Sequence, residues 1–297
     1  MVYGLALLYT PTLAQSTSND TLNKKRLALL GGGTAVVYSG MLIGLNQAWY
    51  ANYPRSSFHW INDNGGWNQV DKVGHAWTSY TYGVAGIELM KWTGVSRKKA
   101  IWIGGLAGTL FQTPIEILDG FSEQWGASSG DLIANGLGSA LLISQALLWD
   151  EQRLQLKLSY WPGEYAKIRP GLLGDNPYSR ILKDYNAQTY WLSVNPWSFA
   201  KNSKWPAWLN LSLGYGSDGL LGSRENKWVD DQGNFHDYSH IRRQRQLYFS
   251  LDLDLQRLPV KNVFLKKVFR LVNCLKIPAP TVVYNEGGKW QFYPLYY

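Results

Sequence analysis

Apolar and polar positions divide this chain into two halves with different periods. From Leu27 past Tyr50 the chain carries no charge, long enough for a helix that crosses a hydrocarbon core of roughly 20 residues. Its glycines include Gly31, Gly32, Gly33, Gly40 and Gly44, and the last two share a helix face, a spacing that lets helices pack backbone to backbone. Three further apolar stretches with helical spacing follow, over about 71–92, 98–118 and 131–149. The stretch over 98–118 contains Gly104, Gly105 and Gly108, and Pro114 near its end should kink it. The pattern predicts a tightly packed bundle of about four apolar, Gly-rich helices, in a membrane or buried.

After Arg153 the period changes to two. Leu154 to Tyr160, Trp208 to Gly216 and Gln246 to Leu255 alternate as strands do, and 183–193 is polar and aromatic. Residues 262–276 read as a short basic amphipathic helix. Thr281 to Tyr284 and Trp290 to Tyr297, separated by Glu286-Gly287-Gly288, read as a terminal hairpin. The strands are too few for a closed transmembrane barrel of eight or more, so a small antiparallel sheet or partial barrel is expected beside the bundle. The fold class is α+β, with a helical part over 16–153 and a strand-rich aromatic part over 154–297. Residues 1–15 read as a secretory signal peptide with cleavage near Ala14 or Gln15, although a basic leading region is missing. The expected cleavage site carries no cysteine, which gives no support to lipid anchoring.

Composition narrows the setting. Charged residues make up only 17% of the 297, and aromatics 14%, with 15 Trp and 19 Tyr. Low charge with many Trp and Tyr suits a protein at a bilayer interface, where their rings sit at headgroup depth. The alternative is an aromatic-rich soluble core. The net charge of +8 comes from scattered basic residues without a nucleic-acid-binding motif. Membrane lipid or lipopolysaccharide is therefore the expected partner, together with an envelope protein partner, and nucleic acid is not. Cys274 stands alone, which excludes an intrachain disulfide; its apolar neighbours suggest a buried, inert thiol.

Chemistry concentrates in three polar patches inside the apolar helices. Asp71 and His75 share one helix face, Glu116 and Asp119 another, and Asp131 and Asn135 a third. In a compact bundle these faces can converge. A His among carboxylates can ligate a divalent cation, the one cofactor the sequence suggests, with His75, Glu116, Asp119 and Asp131 as candidate ligands. It can also act as general acid and base, His75 being oriented by Asp71 beside Glu116, Asp119 and Asp131. Lys72, Ser128 and Asn135 are supporting candidates. A purely structural network is the third reading. In it Asp71 caps its helix, Ser128 and Asp131 form a capping box, Asp119-Gly120 ends a helix, and Lys72 pairs with Asp71 or Asp119. No nucleophilic serine motif, phosphate loop or dinucleotide motif is present.

The order Asp71-Lys72-x-x-His75, Glu116-x-x-Asp119, Trp125-x-x-Ser128-x-x-Asp131-x-x-x-Asn135-Gly136 resembles the YfiM-like family of uncharacterised predicted periplasmic lipoproteins. The chain looks like a longer form of it, in which Lys183 to Ser193 and Leu209 to Gly216 belong to a second, strand-rich part. The helical motifs are also similar to the VanZ-like membrane family. The resemblance implies an envelope location, in the outer membrane or periplasm, and brings no established reaction. The expected function is a structural or accessory role in lipid or protein assembly. The alternative is an enzyme acting on a lipid or lipid-linked envelope substrate through the His/carboxylate cluster.

Overall fold

The computed structural model describes residues 22–50, 53–230 and 232–297. The expected signal peptide lies outside the described residues. Four long helices form: α1 (Lys24–Leu45), α2 (Val70–Trp92), α3 (Arg97–Gly120) and α4 (Ser129–Leu148). Ten strands follow in chain order: β1 (Trp60–Ile61), β2 (Ala127–Ser128), β3 (Leu154–Tyr160), β4 (Gln188–Val194), β5 (Leu209–Asp218), β6 (Lys227–Val229), β7 (Phe235–Asp237), β8 (Gln244–Leu253), β9 (Ala279–Asn285) and β10 (Lys289–Tyr296). The α+β reading holds, but there are more helices among the described residues than the four expected. Short ones occupy Tyr165–Ile168, Pro170–Leu173, Pro177–Lys183 and Pro196–Phe199, besides the amphipathic Val263–Val272. Three of these short helices begin with proline, whose fixed φ suits a first helical turn.

α2, α3 and α4 pack through small residues. A Cβ on Gly108 would collide with the backbone of Ser79, and one on Gly138 with the backbone of Ala76. Backbones in contact let Thr109 Oγ1 donate across the seam to the Asn135 carbonyl at 2.9 Å. The apolar interior is thin, built from Tyr80, Ile87 and Leu142, with Ile101 and Ile143 beside it. α3 runs through Pro114 to Gly120, and its departure from regular helix lies earlier, in a π-helical segment at Ala100–Gly104.

α1 departs from expectation. It buries no residue, and nothing approaches Gly31, Gly32, Gly33, Gly40 or Gly44. Its glycine face is therefore not a packing seam among the described residues. It lies along α3 through few contacts, among them Tyr38 stacked on Phe111 and its hydroxyl donating to the Phe111 carbonyl at 2.7 Å.

The main sheet has the order β10-β9-β8-β5-β4-β3, antiparallel throughout. Its two faces are opposite in character. One cross-strand row reads Leu156, Leu192, Leu213, Phe249, Val282, Phe292. The adjacent row on the other face reads Gln155, Ser193, Ser212, Ser250, Thr281, Tyr293. This second face is the inside of a curl, where polar groups surround a buried cluster of Trp191, Tyr248 and Val283. β3 hydrogen-bonds residues 274–276 just before β9, Trp161 stacks on Tyr297, and Tyr296 reaches Thr189 at 3.0 Å. The fully buried Lys157 and Asp252 pair there at 2.7 Å, and Ser193 and Asn273 satisfy their remaining valences. The apolar face meets α2 toward the β3 edge, where Leu156 packs on Tyr80, Ile87 and Leu142 and Tyr190 packs against Gly74 and Trp77. Leu211, Leu213, Leu247, Phe249, Leu251, Trp290 and Phe292 are exposed.

The packing makes a contrast measurable by thermal unfolding in detergent. Gly138→Leu should lose about 1–3 kcal/mol of stability by overpacking a backbone contact, whereas Gly33→Leu on α1 should leave the midpoint unchanged or slightly higher.

Candidate functional site

The ends of three helices and one loop bring the polar patches together. Asp71, Lys72 and His75 lie in the first turns of α2, Glu116 and Asp119 in the last turn of α3, and Ser128, Asp131 and Asn135 at the start of α4. The entry to α2 is unusual: Trp67, Asn68 and Gln69 all adopt left-handed backbone conformations, each unfavourable for a side chain with a Cβ. The sheet and the loop after β5 hold them there. The Trp67 amide donates to the Ser223 carbonyl, Tyr215 donates to the Asn68 carbonyl, Asn68 donates to Ser217, and Arg245 holds the Gln69 side chain. Gln69, not Asp71, is the N-cap residue of α2, so the expected capping role of Asp71 is corrected. Its carboxylate is free to turn inward.

Lys72 is the hub. Its Nζ lies 2.6 Å from Asp63, 3.1 Å from Asp71 and 2.8 Å from Asp131. The pairing with Asp71 was expected. The alternative pairing with Asp119 does not form, because Tyr50 donates to Asp119 at 2.6 Å instead. Asp63 was not among the candidates. Its loop position gave no helical spacing to read, and only its place in a Trp-, Asn- and Gly-rich loop marked it. Burial works against the Asp63 carboxylate, but hydrogen bonds from Lys72 and Ser128 outweigh it and hold its pKa below the ordinary value.

The capping box forms by half. Ser128 accepts from the Asp131 amide at 3.1 Å, as expected. The reciprocal partner is not Asp131: the Ser128 amide donates to Glu116 Oε2 at 3.1 Å, from another helix. Asp131 is thereby released toward Lys72 and His75. Glu116, Asp71 and Asp131 are all buried, at 3%, 6% and 6% exposure.

His75 is oriented by a chain of donors. Gln112 Nε2 donates to Ser79 Oγ at 2.6 Å, Ser79 Oγ faces Asn135 Oδ1 at 3.4 Å, and His75 Nδ1 meets the same Oδ1 at 3.1 Å. Since Asn135 Oδ1 only accepts, Nδ1 carries the proton, and Nε2 faces Asp131 at 3.6 Å. Gln112 and Ser79 also escaped the sequence reading, although both are polar residues on apolar helices, which is the signal that would have found them. Ligand atoms of His75, Glu116 and Asp131 lie within 4.8 Å of one another, as do those of Asp63, Asp71 and Asp131. Asp119 joins neither group among the described residues. A cavity of about 820 Å³ lies elsewhere, lined by Glu88, Lys91, Leu142, Lys267 and Arg270.

Lys72→Met should therefore be severe. It strands three carboxylates, two of them buried, and should cost about 3–5 kcal/mol in unfolding experiments; a loss under 1 kcal/mol would mean that Lys72 does not hold the helix ends together.

Residues 59–146 match a family described as "Predicted periplasmic lipoprotein (DUF2279)". The matched stretch contains every cluster residue named above except Tyr50. No curated protein and no solved structure matches the chain. The family match supports a periplasmic lipoprotein family and, with it, a location in the cell envelope.

Proposed function

We propose that this chain is an integral protein of the envelope, seated in the outer membrane, with a structural or accessory role in lipid or protein assembly. The carrying observation is the reversal of polarity across the main sheet. The row from Leu156 to Phe292 is apolar and largely exposed, while the row from Gln155 to Thr281 is polar and turned inward beside the buried Trp191, Tyr248 and Val283. A water-exposed sheet has the opposite arrangement. Strands that are apolar outside and polar inside, with aromatic residues on the outer face, follow the pattern of outer-membrane strands. Exposed apolar patches on this scale exceed what soluble monomers carry.

The helices support the same seat. α1, α3 and α4 are each long and apolar enough to cross a membrane by length and composition, and the first is unburied along its span. Ile103, Leu110, Ile133 and Leu137 face outward. Charges gather at the two ends of the bundle. Arg26 reaches the Trp92 carbonyl, which brings Lys24, Lys25 and Arg26 beside Lys91 and the Arg97–Lys99 turn. A basic rim of this kind suits anionic phospholipid or lipopolysaccharide headgroups. The acidic cluster occupies the opposite end. The motif resemblance to the YfiM-like family points to the same compartment.

The accessory reading is favoured over an enzyme by the pairing of the cluster. Lys72 is shared among three carboxylates, Asp119 is held by Tyr50, and the large cavity lies at the far end of α2. Under this reading His75→Gln leaves the lipid composition of the cell unchanged, and an altered lipid profile with normal protein level would favour the enzyme instead.

Membrane seating is tested by alkaline carbonate washing of membranes from cells expressing the chain. The protein should stay in the pellet, and the double substitution Leu213→Asp, Phe249→Asp should sharply lower the retained fraction. Release of the unaltered chain into the wash would refute the seat.

A further inference from the structure

We propose that the bundle end holds one divalent first-row metal ion, of the Zn²⁺ or Mn²⁺ class, ligated by His75 Nε2, Glu116 and Asp131. The inference is independent of the membrane seat. It begins with charge. Asp63, Asp71 and Asp131 share a single ammonium, Lys72, while Glu116 and Asp119 lie close enough to interact with the same carboxylates. Lys72 pairs with Asp63, Asp71 and Asp131, and among the described residues Glu116 has no cation in contact with it. Desolvated carboxylates at such separation do not stay ionised together without added positive charge.

The second observation is orphaned acceptors. Asp71 and Asp131 are more than nine-tenths buried, yet Oδ1 of each accepts no hydrogen bond. The Lys72 ammonium touches Asp131 Oδ1 at 2.8 Å without hydrogen-bond geometry. The same oxygen faces His75 Nε2 at 3.6 Å, too long for a hydrogen bond. Asp71 Oδ1 is thus a buried acceptor with no hydrogen bond, and Asp131 Oδ1 has its ion pair with Lys72 and room on the side of His75.

The third is the state of the imidazole. The chain from Gln112 through Ser79 to Asn135 fixes the proton on His75 Nδ1. Nε2 then faces Asp131, and Glu116 offers an oxygen in the same 4.8 Å group. An imidazole that donates its other N–H to a fixed acceptor is how metal-bound histidines are held. Ligands at about 2.0–2.2 Å from an ion stand roughly 3–4 Å apart, so a group already within 4.8 Å closes on one ion by small side-chain rotations. An imidazole with two carboxylates selects Zn²⁺ or Mn²⁺ over Mg²⁺ and Ca²⁺, which take oxygen ligands. Asn135 is a positioning residue, since it acts only through His75.

The full chain, purified in detergent and stripped with a chelator, tests this by elemental analysis and thermal unfolding. On addition of Zn²⁺ or Mn²⁺ it should retain one ion per chain and unfold at a higher temperature, with no such rise from Mg²⁺. His75→Gln and Glu116→Gln should lose the ion and the shift. Asn135→Ala should weaken binding about 10–100-fold, and Glu88→Gln, at the opposite end of α2, should change nothing. A stripped wild-type chain that neither retains an ion nor shifts in either metal overturns the proposal. So does an ion retained undiminished by both folded ligand variants. If those variants fail to fold, the wild-type titration decides alone.

Discussion

One ammonium group holds the bundle end together. Lys72 sits between carboxylates from the loop before α2, from α2 itself and from α4, so three segments far apart in sequence share one charge. Such an arrangement is stable only if each partner is delivered at a fixed place, and the surrounding structure does this at some expense. Three successive left-handed residues turn the chain into α2; the loop after β5 pins Trp67, and the sheet pins Asn68 and Gln69. Ser128 caps α4 while its amide is taken by Glu116, which frees Asp131 to face Lys72 and His75. The strained entry, the cap and the cluster are one construction, and the sheet is part of it.

The same logic runs through the rest of the fold with its sign reversed. Polar groups are gathered inside, in the bundle end and in the curl of the sheet around Lys157 and Asp252. Apolar groups are turned out along α1, along the outer sides of α3 and α4, and across four strands of the sheet. In water this would be unfavourable twice over, by exposing apolar area and by burying charge. In a bilayer the outer surface has no such cost, and the interior is where every polar group must find its partner. The shallow apolar core of the bundle and the backbone contacts at Gly108 and Gly138 fit association without a hydrophobic drive.

Much of this was legible in the sequence because period survives in it. The helices near 71–92, 98–118 and 131–149 and the strands near 154–160, 208–216 and 246–255 fall within a few residues of their places. The convergence of Asp71, His75, Glu116 and Asp131 followed from shared helix faces alone. What escaped had no period. Asp63 comes from a loop, Tyr50 from the irregular end beyond α1, and the left-handed turn at 67–69 uses no glycine to announce itself. Asp71 does not cap α2, because the turn places the cap two residues earlier. The glycines of α1 looked like a seam, but a small-residue stripe does not say whether its partner lies in the same chain. The strand alternation was visible, yet not which face would turn inward, since that depends on the curl that joins β3 to the segment before β9.

The account rests on the outward face of the sheet meeting lipid. Nitroxide labels placed singly at Leu213, Phe249 and Leu137, in the chain reconstituted into phospholipid vesicles, report this directly through collision with oxygen or with a water-soluble nickel complex. High oxygen and low nickel accessibility at all three is the predicted result. Ready access of the nickel complex to Leu213 and Phe249 would place that face in water and contradict the account.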